Sequence, residues 1–445
     1  MCIKVSWKLG ILKKLRFNSF KRKVQRFCLG VTFLISSVDT LDAKIFTLQE
    51  FFKEVETNSM ELIGKKADFK SRLNEQRSIN AWDFPYIDNE TSMVKNFQGI
   101  IEAQPRTVLM VKPKLPWVSS LLSKSLSIKT IQYDKSYQLN KNLAFIGAKR
   151  LYLTYVMTKE KYQVYVQREA NFYSQLKIAK EKVKAGSMSE KDYINFNNSY
   201  LESKLAKTNV ETKLIDLEKM LDTMLAIVEP VKEGAHFDTY LDHLHDVKVI
   251  GLDFEYVHLE PEALKFKLDR SLYVDILDLT AKDYQVNAKL ATRGVFNEFE
   301  FGIGAESYNS STNLSVEVRI PLPVTPKNIY QKRKFLDLQS GTLAQNEVMK
   351  RNIRINANSY LNQLKTKEAY IETQKEAIAN KKRLMEMGRI AYESQKIGLF
   401  EYLIYQNSYM DALITLAEAK IEYIDISALL EETLGESLTR LGELH

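Results

Sequence analysis

Only two cysteines occur in the 445 residues, Cys2 and Cys28, and both fall within the first 43. Beyond residue 43 there is therefore no disulfide framework and no thiolate metal site. Cys28 stands near the start of an apolar run, not at its end, which argues against a lipid-modified cysteine. A Gly-rich phosphate loop, a Gly-x-Ser-x-Gly elbow and a His-Glu-x-x-His pair are all missing, so no common enzyme motif is present. No stretch reaches 18 uninterrupted apolar residues, so a membrane span would have to be a β-barrel. Proline is scarce: nine in all, with none between 117 and 229 or between 327 and 445. Glycine is thin in the same two stretches, which are rich in Lys, Glu, Leu, Ala and Gln and read as long helices.

An excess of positive charge is present only at the N-terminus. The formal charge is +8, but residues 1–43 hold nine Lys or Arg and two acids, so the rest of the chain carries +1. A nucleic-acid partner loses its support. The basic segment, the apolar run Phe27 to Val38 and the small residue Ala43 follow the order of a secretory signal peptide. Residues 1–43 are therefore expected to be a cleaved leader, although Leu41 is larger than usual at that site.

The two helical stretches each break once. In the second, Ala357, Leu364, Ile371, Ile378, Met385 and Tyr392 recur every seven residues, and Leu403, Met410, Ala417 and Ile424 do so after the break. A seven-residue repeat means helices packed side by side with a left-handed supercoil. Ala148, Tyr155 and Tyr162, then Leu214, Leu217 and Leu221, carry a less regular stripe in the first. Gly186 suits a helix C-cap and Ser189 the next N-cap, with Asp192 three residues on. The second break is at Gly398. The prediction is long helices over 117–184 and 327–397, returning helices over 189–228 and 399–434, and shorter helices over 46–81 and 262–293.

Strand signals lie between the short and the long helices. Phe299, Phe301, Ile303 and Ala305 alternate with Glu298, Glu300 and Glu306. After a turn, Leu314, Val316, Val318 and Ile320 alternate with Glu317 and Arg319. This predicts a hairpin with one apolar and one charged face, its strands long enough to cross a bilayer when tilted. In the first half, 107–111 reads as a strand with a partner expected near 82–90. The chain thus reads as a duplication, with a first repeat over 44–233 and a second over 234–445. Gly186 is matched with Gly398. Four strands cannot close a barrel, which needs at least about eight, so the chain is expected to oligomerise. Three copies give twelve strands, with Glu298, Glu300, Glu306, Glu317 and Arg319 facing a wet lumen.

The segment Ala391 to Gly398, with Asn407 to Leu413, Ala417-Glu418-Ala419, Tyr423 and Leu434-Gly435, resembles the final helical hairpin of the TolC family of outer-membrane efflux proteins. Lys184-Ala185-Gly186 resembles its first-repeat partner, and Val318 to Pro323 the family's strand exit into a long helix. The resemblance covers essentially all of the chain after residue 43. It implies a mainly α fold with a small membrane β-barrel portion: a homotrimer in a Gram-negative outer membrane with a large periplasmic tunnel. It implies a periplasmic adaptor and an inner-membrane pump as partners, no catalysis and no cofactor. Gly186, Ser189, Glu190, Asp192, Gly398 and Glu401 would form the tunnel tip and adaptor-docking end. The family narrows this mouth with acids just after the second turn, whereas here Ile404 and Asn407 stand there. Glu401, Glu190 and Asp192 are the nearest substitutes, or are ordinary helix-start acids favoured by the helix dipole.

His236, His243, His245 and His258 lie among Asp238, Asp242 and Asp246, a set that reads either as polar surface or as metal contact. The Pro321-Leu322-Pro323 exit, with Asn328, leans toward the heavy-metal branch, with multidrug efflux and protein secretion open. The competing reading is a periplasmic coiled-coil adaptor or scaffold, which explains the heptads but not the amphipathic hairpin.

Overall fold

The computed structural model describes residues 44–95, 99–226, 247–293, 299–308, 311–320 and 325–438. The expected leader lies outside them. Strand β1 (Lys44–Thr47) leads into α1 (Leu48–Asn58) and α2 (Met60–Asn80). The hairpin β2 (Tyr86–Lys95) and β3 (Ile101–Val111) follows, then the long helix α3 (Pro116–Lys184) and the returning helix α4 (Glu190–Met224). The second half repeats the order: β4 (Val247–Ile250), α5 (Pro261–Asp269), α6 (Leu272–Arg293), β5 (Glu300–Tyr308), β6 (Ser311–Arg319), α7 (Lys327–Glu393) and α8 (Leu399–Leu434).

Helix α3 has 69 residues and α7 has 67, about 100 Å each at 1.5 Å per residue. Their starts follow from proline. Pro116 opens α3 in its first turn, where the missing N–H has no helical acceptor to lose, and Pro326 caps α7. Two predicted single helices are divided in the structure. The 46–81 segment breaks at Ser59, whose extended backbone lets its hydroxyl accept the Leu62 N–H at 3.3 Å. The 262–293 segment breaks at Arg270-Ser271. Strands β1 and β4 were not legible; at four residues each they are too short to show a period, and they pair in parallel, Lys44↔Val247 to Thr47↔Ile250.

Each long helix lies beside two shorter ones stacked along it. Nearer the sheet the packing order is α2, α3, α6, α7; nearer the other end it is α4, α3, α8, α7. Every level is a row of four helices, with α7 at one end and α2 or α4 at the other. The predicted heptads form the seams: Ala357, Leu364 and Ile371 are buried against Tyr423, Leu430 and Leu434 of α8. Beside them, Phe51, Phe52, Phe145, Tyr152 and Tyr155 enclose Val247 and Val249, tying the β1–β4 ribbon to α3. The Val249 N–H donates to the Tyr152 hydroxyl at 2.8 Å, and the Val257 N–H to that of Tyr423 at 2.7 Å. Burial pushes the Tyr423 hydroxyl up to about 12.

The two halves meet where α3 packs antiparallel on α8, and charge sets the register. Lys161 pairs with Glu418 and Arg168 with Asp411, both at 2.7 Å, one heptad apart on each helix, and Gln175 bonds Gln406 further along the same seam. Such half-exposed pairs contribute at most about 1 kcal/mol each and act chiefly on alignment. The exception is Lys149 with Glu431 at 2.5 Å, whose side chains are 9% and 0% exposed. Glu431 also accepts the Leu438 N–H at 2.6 Å. Removing the carboxylate breaks a buried ion pair from one side, so Glu431→Ala is expected to cost about 3–5 kcal/mol, while a Lys149→Met/Glu431→Leu pair costs far less. Urea unfolding followed by circular dichroism measures both; equal losses would contradict the assignment.

Candidate membrane sheet and helical tip

The two hairpins join into one antiparallel sheet of order β2-β3-β5-β6. The β3–β5 junction runs from Arg106↔Glu306 to Val111↔Phe301. The partner of β3, expected near 82–90, begins at Tyr86 and runs on to Lys95. Strand β3 starts six residues before the predicted 107, through Pro105. Proline is poorly tolerated inside a sheet, but Pro105 lies just beyond the β3–β5 ladder, where β3 has β2 as its only neighbour. That placement is what hid the strand.

The strand register defines two faces. One face carries Ile87, Met93, Ile101, Leu109, Ile303, Leu314, Val316 and Val318, all exposed. The other carries Asp88, Glu90, Arg106, Glu300, Glu306, Glu317 and Arg319 around a buried Val108 and Met110. Glu300, Glu306, Glu317 and Arg319 therefore share a face as expected, while Glu298 lies outside the described residues. Asp88, Glu90 and Arg106 belong to the same group and were missed, because the first hairpin shows little alternation in its sequence.

This polar face is curled. Arg106 bonds Glu317 across β5, with only the bare backbone of a Gly-x-Gly between them. A Cβ at Gly302 would lie 2.6 Å from Val108 Cγ1, and one at Gly304 would lie 2.6 Å from Val108 Cα and collide with the Thr107 carbonyl. The absence of those two side chains is what lets β5 close over β3. Curling brings the edge strands together: Arg319 on β6 reaches Asp88 on β2 at 2.6 Å, and Tyr86 donates to Glu300 at 3.0 Å. Arg319 also holds Glu317 at 2.6 Å, and Lys112 faces Glu300 at 3.6 Å.

At the far end of the helices the two turns are built alike. The Ser187 N–H donates to the Lys182 carbonyl at 2.9 Å, and that of Lys396 to Ala391 at 2.8 Å. The residue that turns left-handed is Gly186 in the first, φ +70, but Gln395 in the second, φ +55. This corrects the pairing of Gly186 with Gly398. Gly398 is extended and N-caps α8, so its counterpart is Ser189. Ser189 caps α4 through Asp192, accepting its N–H at 3.1 Å and donating to its carboxylate at 2.7 Å. Glu401, at the equivalent place on α8, accepts the Tyr405 hydroxyl at 3.1 Å and raises its pKa. Glu190 is exposed beside Lys191, and Lys184 holds the Glu181 carboxyl below its usual range. Asp192 and Glu401 thus make local helix-start bonds at a tip that also carries Lys182, Lys184, Lys191 and Lys396.

His236, His243 and His245 lie outside the described residues, and His258 is exposed ahead of α5. No group of three or more His, Cys, Asp or Glu gathers as a metal site among the described residues, and no described helix is long and apolar enough to cross a membrane.

A row of long helices leading into an amphipathic antiparallel sheet is a fold also found among solved outer-membrane channels. CusC superposes with a TM-score of 0.68 at 13% identity over 90% of this chain and 96% of that one. VceC of Vibrio cholerae gives 0.65 at 9% over 88% and 96%, and the open state of the MtrE outer-membrane channel of Neisseria gonorrhoeae gives 0.61 at 12% over 91% and 94%. No family model and no curated protein matches the sequence. The resemblance to the TolC family is thus met by a fold of that kind along nearly the whole chain.

Two outcomes follow from these geometries. Gly304→Val is expected to force β5 off β3 at a cost of about 1–3 kcal/mol or more, read as lost amide protection in 301–306; retained protection would contradict the close approach. Gln395→Gly is expected to relieve about 1 kcal/mol of left-handed strain and raise protection of the Lys396 amide, with Gly398→Ala neutral by comparison.

Proposed function

We propose that this chain is the protomer of a trimeric outer-membrane efflux duct, passing substrates from an inner-membrane pump and periplasmic adaptor to the outside. The observation that carries the reading is the sheet: an exposed apolar face, a charged face, and edge strands β2 and β6, each without a neighbour on one side among the described residues. Such edges are untenable in lipid, where backbone groups find no water. Three sheets of four strands close into twelve. The helices have the same need, since each level is a row of four with open ends. Exposed Ile194, Leu201 and Leu205 on α4, and Val348, Ile355 and Leu384 on α7, supply apolar surface for neighbouring copies.

In this reading Glu300, Glu306, Glu317 and Arg319 face the aqueous lumen, joined by Asp88, Glu90 and Arg106. The tip with Gly186, Ser189, Glu190, Asp192, Gly398 and Glu401 meets the adaptor. Its charge is mixed, so the mouth lacks a dominant acidic ring. The structures with this fold include CusC, VceC and the MtrE outer-membrane channel. The continuous passage from sheet to 100 Å helices disfavours a soluble coiled-coil adaptor.

Fractionation tests the placement. The protein is expected in the outer-membrane fraction, running on gels as a large species that heat converts to single chains. Deletion of its gene is expected to raise sensitivity to toxic metals, dyes or bile salts. A soluble periplasmic pool with unchanged sensitivities would contradict it.

A further inference from the structure

The Arg319–Asp88 contact joins the two outermost strands of the sheet. Three strand spacings separate β2 from β6, about 14 Å in a flat sheet. Hydrogen-bond contact across them is made by the curl that Gly302 and Gly304 permit. The polar group around Arg319 comes from both edges: Asp88 and Tyr86 from β2, Glu317 from β6 and Glu300 from β5. Among the described residues each of these edges has a strand neighbour on one side only.

The strand directions say what fits there. In the order β2-β3-β5-β6 every neighbour is antiparallel, so β2 and β6 run in opposite directions. A β6 edge laid beside the β2 edge of another copy continues the antiparallel ladder. Face parity agrees, because the polar residues are even-numbered on β2 and odd-numbered on β6. So does depth: Arg319 ends β6 and Asp88 is near the start of β2, both at the end where the chain enters the helices.

We propose that Arg319 is an exchangeable seam residue: it closes the curled sheet on its own Asp88 in the single chain and pairs with Asp88 of a neighbouring copy in the assembled barrel. The inference rests on the trimeric reading above and adds which edges meet and what aligns them. Spreading four strands over one third of a twelve-stranded wall draws a chain's own β2 and β6 apart and breaks the internal pair. The neighbour's β2 then lies one strand spacing, about 4.8 Å, from β6. Arg319 finds the same partners, Asp88 and Tyr86, so its charge stays paired in both states. Glu317 keeps Arg319 oriented from two residues away on the same strand. The seam therefore has a built-in register: a slip by one residue turns Arg319 to the lipid face.

The test uses single-cysteine chains of the full-length protein, with Cys2 and Cys28 replaced by Ser. Asp88→Cys and Arg319→Cys chains are expressed separately and together, and outer membranes are treated with a short bis-maleimide. Co-expressed chains are expected to give a covalent dimer that survives boiling, absent from either variant alone. A pair displaced along the seam, Asp88→Cys with Thr312→Cys, should give none. A heat-dissociable trimer with no dimer from the 88/319 pair would overturn the seam while leaving the trimer standing. Single chains throughout would overturn both. A second readout is charge exchange: Arg319→Asp and Asp88→Arg should each reduce the heat-dissociable trimer, and the double variant should restore it. No loss in the single variants would also overturn the proposal.

Discussion

The two open edges of a four-stranded sheet, β2 and β6, each with a strand neighbour on one side only among the described residues, are the constraint on which the rest of this molecule depends. Each amide or carbonyl left without a partner in lipid costs several kcal/mol. No side-chain substitution on β2 or β6 removes that cost. It is met only by more backbone, which strands from another copy would add. The curl is visible, and it uses bare glycines at 302 and 304 so that β5 lies directly on Val108 and Met110. In it the charged side chains of both edges satisfy one another, as Arg319 does with Asp88.

The helices continue the same geometry beyond the sheet. With almost no proline or glycine to interrupt them, α3 and α7 run about 100 Å and hold two levels of four-helix rows in line. Heptad seams bury Ala357, Leu364 and Ile371, while the α3–α8 seam is aligned by ion pairs such as Lys161–Glu418 and Arg168–Asp411. The buried Lys149–Glu431 pair pins the end of that seam nearest the C-terminus of α8. The row is open at α7 and at α2 or α4, just as the sheet is open at β2 and β6, so helical and sheet portions call for the same neighbours.

Much of this was legible because period and punctuation are strong in the second half. Proline positions marked α3 and α7 to within a residue at their starts, and alternating Phe and Ile against Glu marked β5 and β6. The first hairpin was hidden by Pro105 and by a polar run, Asp88 to Ser92, that lacks apolar alternation. Asp88 and Arg106 were missed for that reason, since a charged residue reveals its face only once its strand is known. Gly398 drew attention as a turn residue because glycine favours left-handed backbone, yet Gln395 takes that conformation and Gly398 is extended. Serine at 59 interrupts a helix that composition alone would continue.

The tip shows how the same helix ends serve two readings. Asp192 and Glu401 occupy equivalent helix-start places, one closing a capping turn with Ser189 and the other accepting from Tyr405. Those bonds are explained by helix geometry without a charged mouth. The sheet edges admit no such local explanation, which is why oligomerisation carries the account. Native mass spectrometry of the detergent-extracted particle tests this most directly. The account predicts a particle of three chains; a folded, membrane-embedded single chain would contradict it.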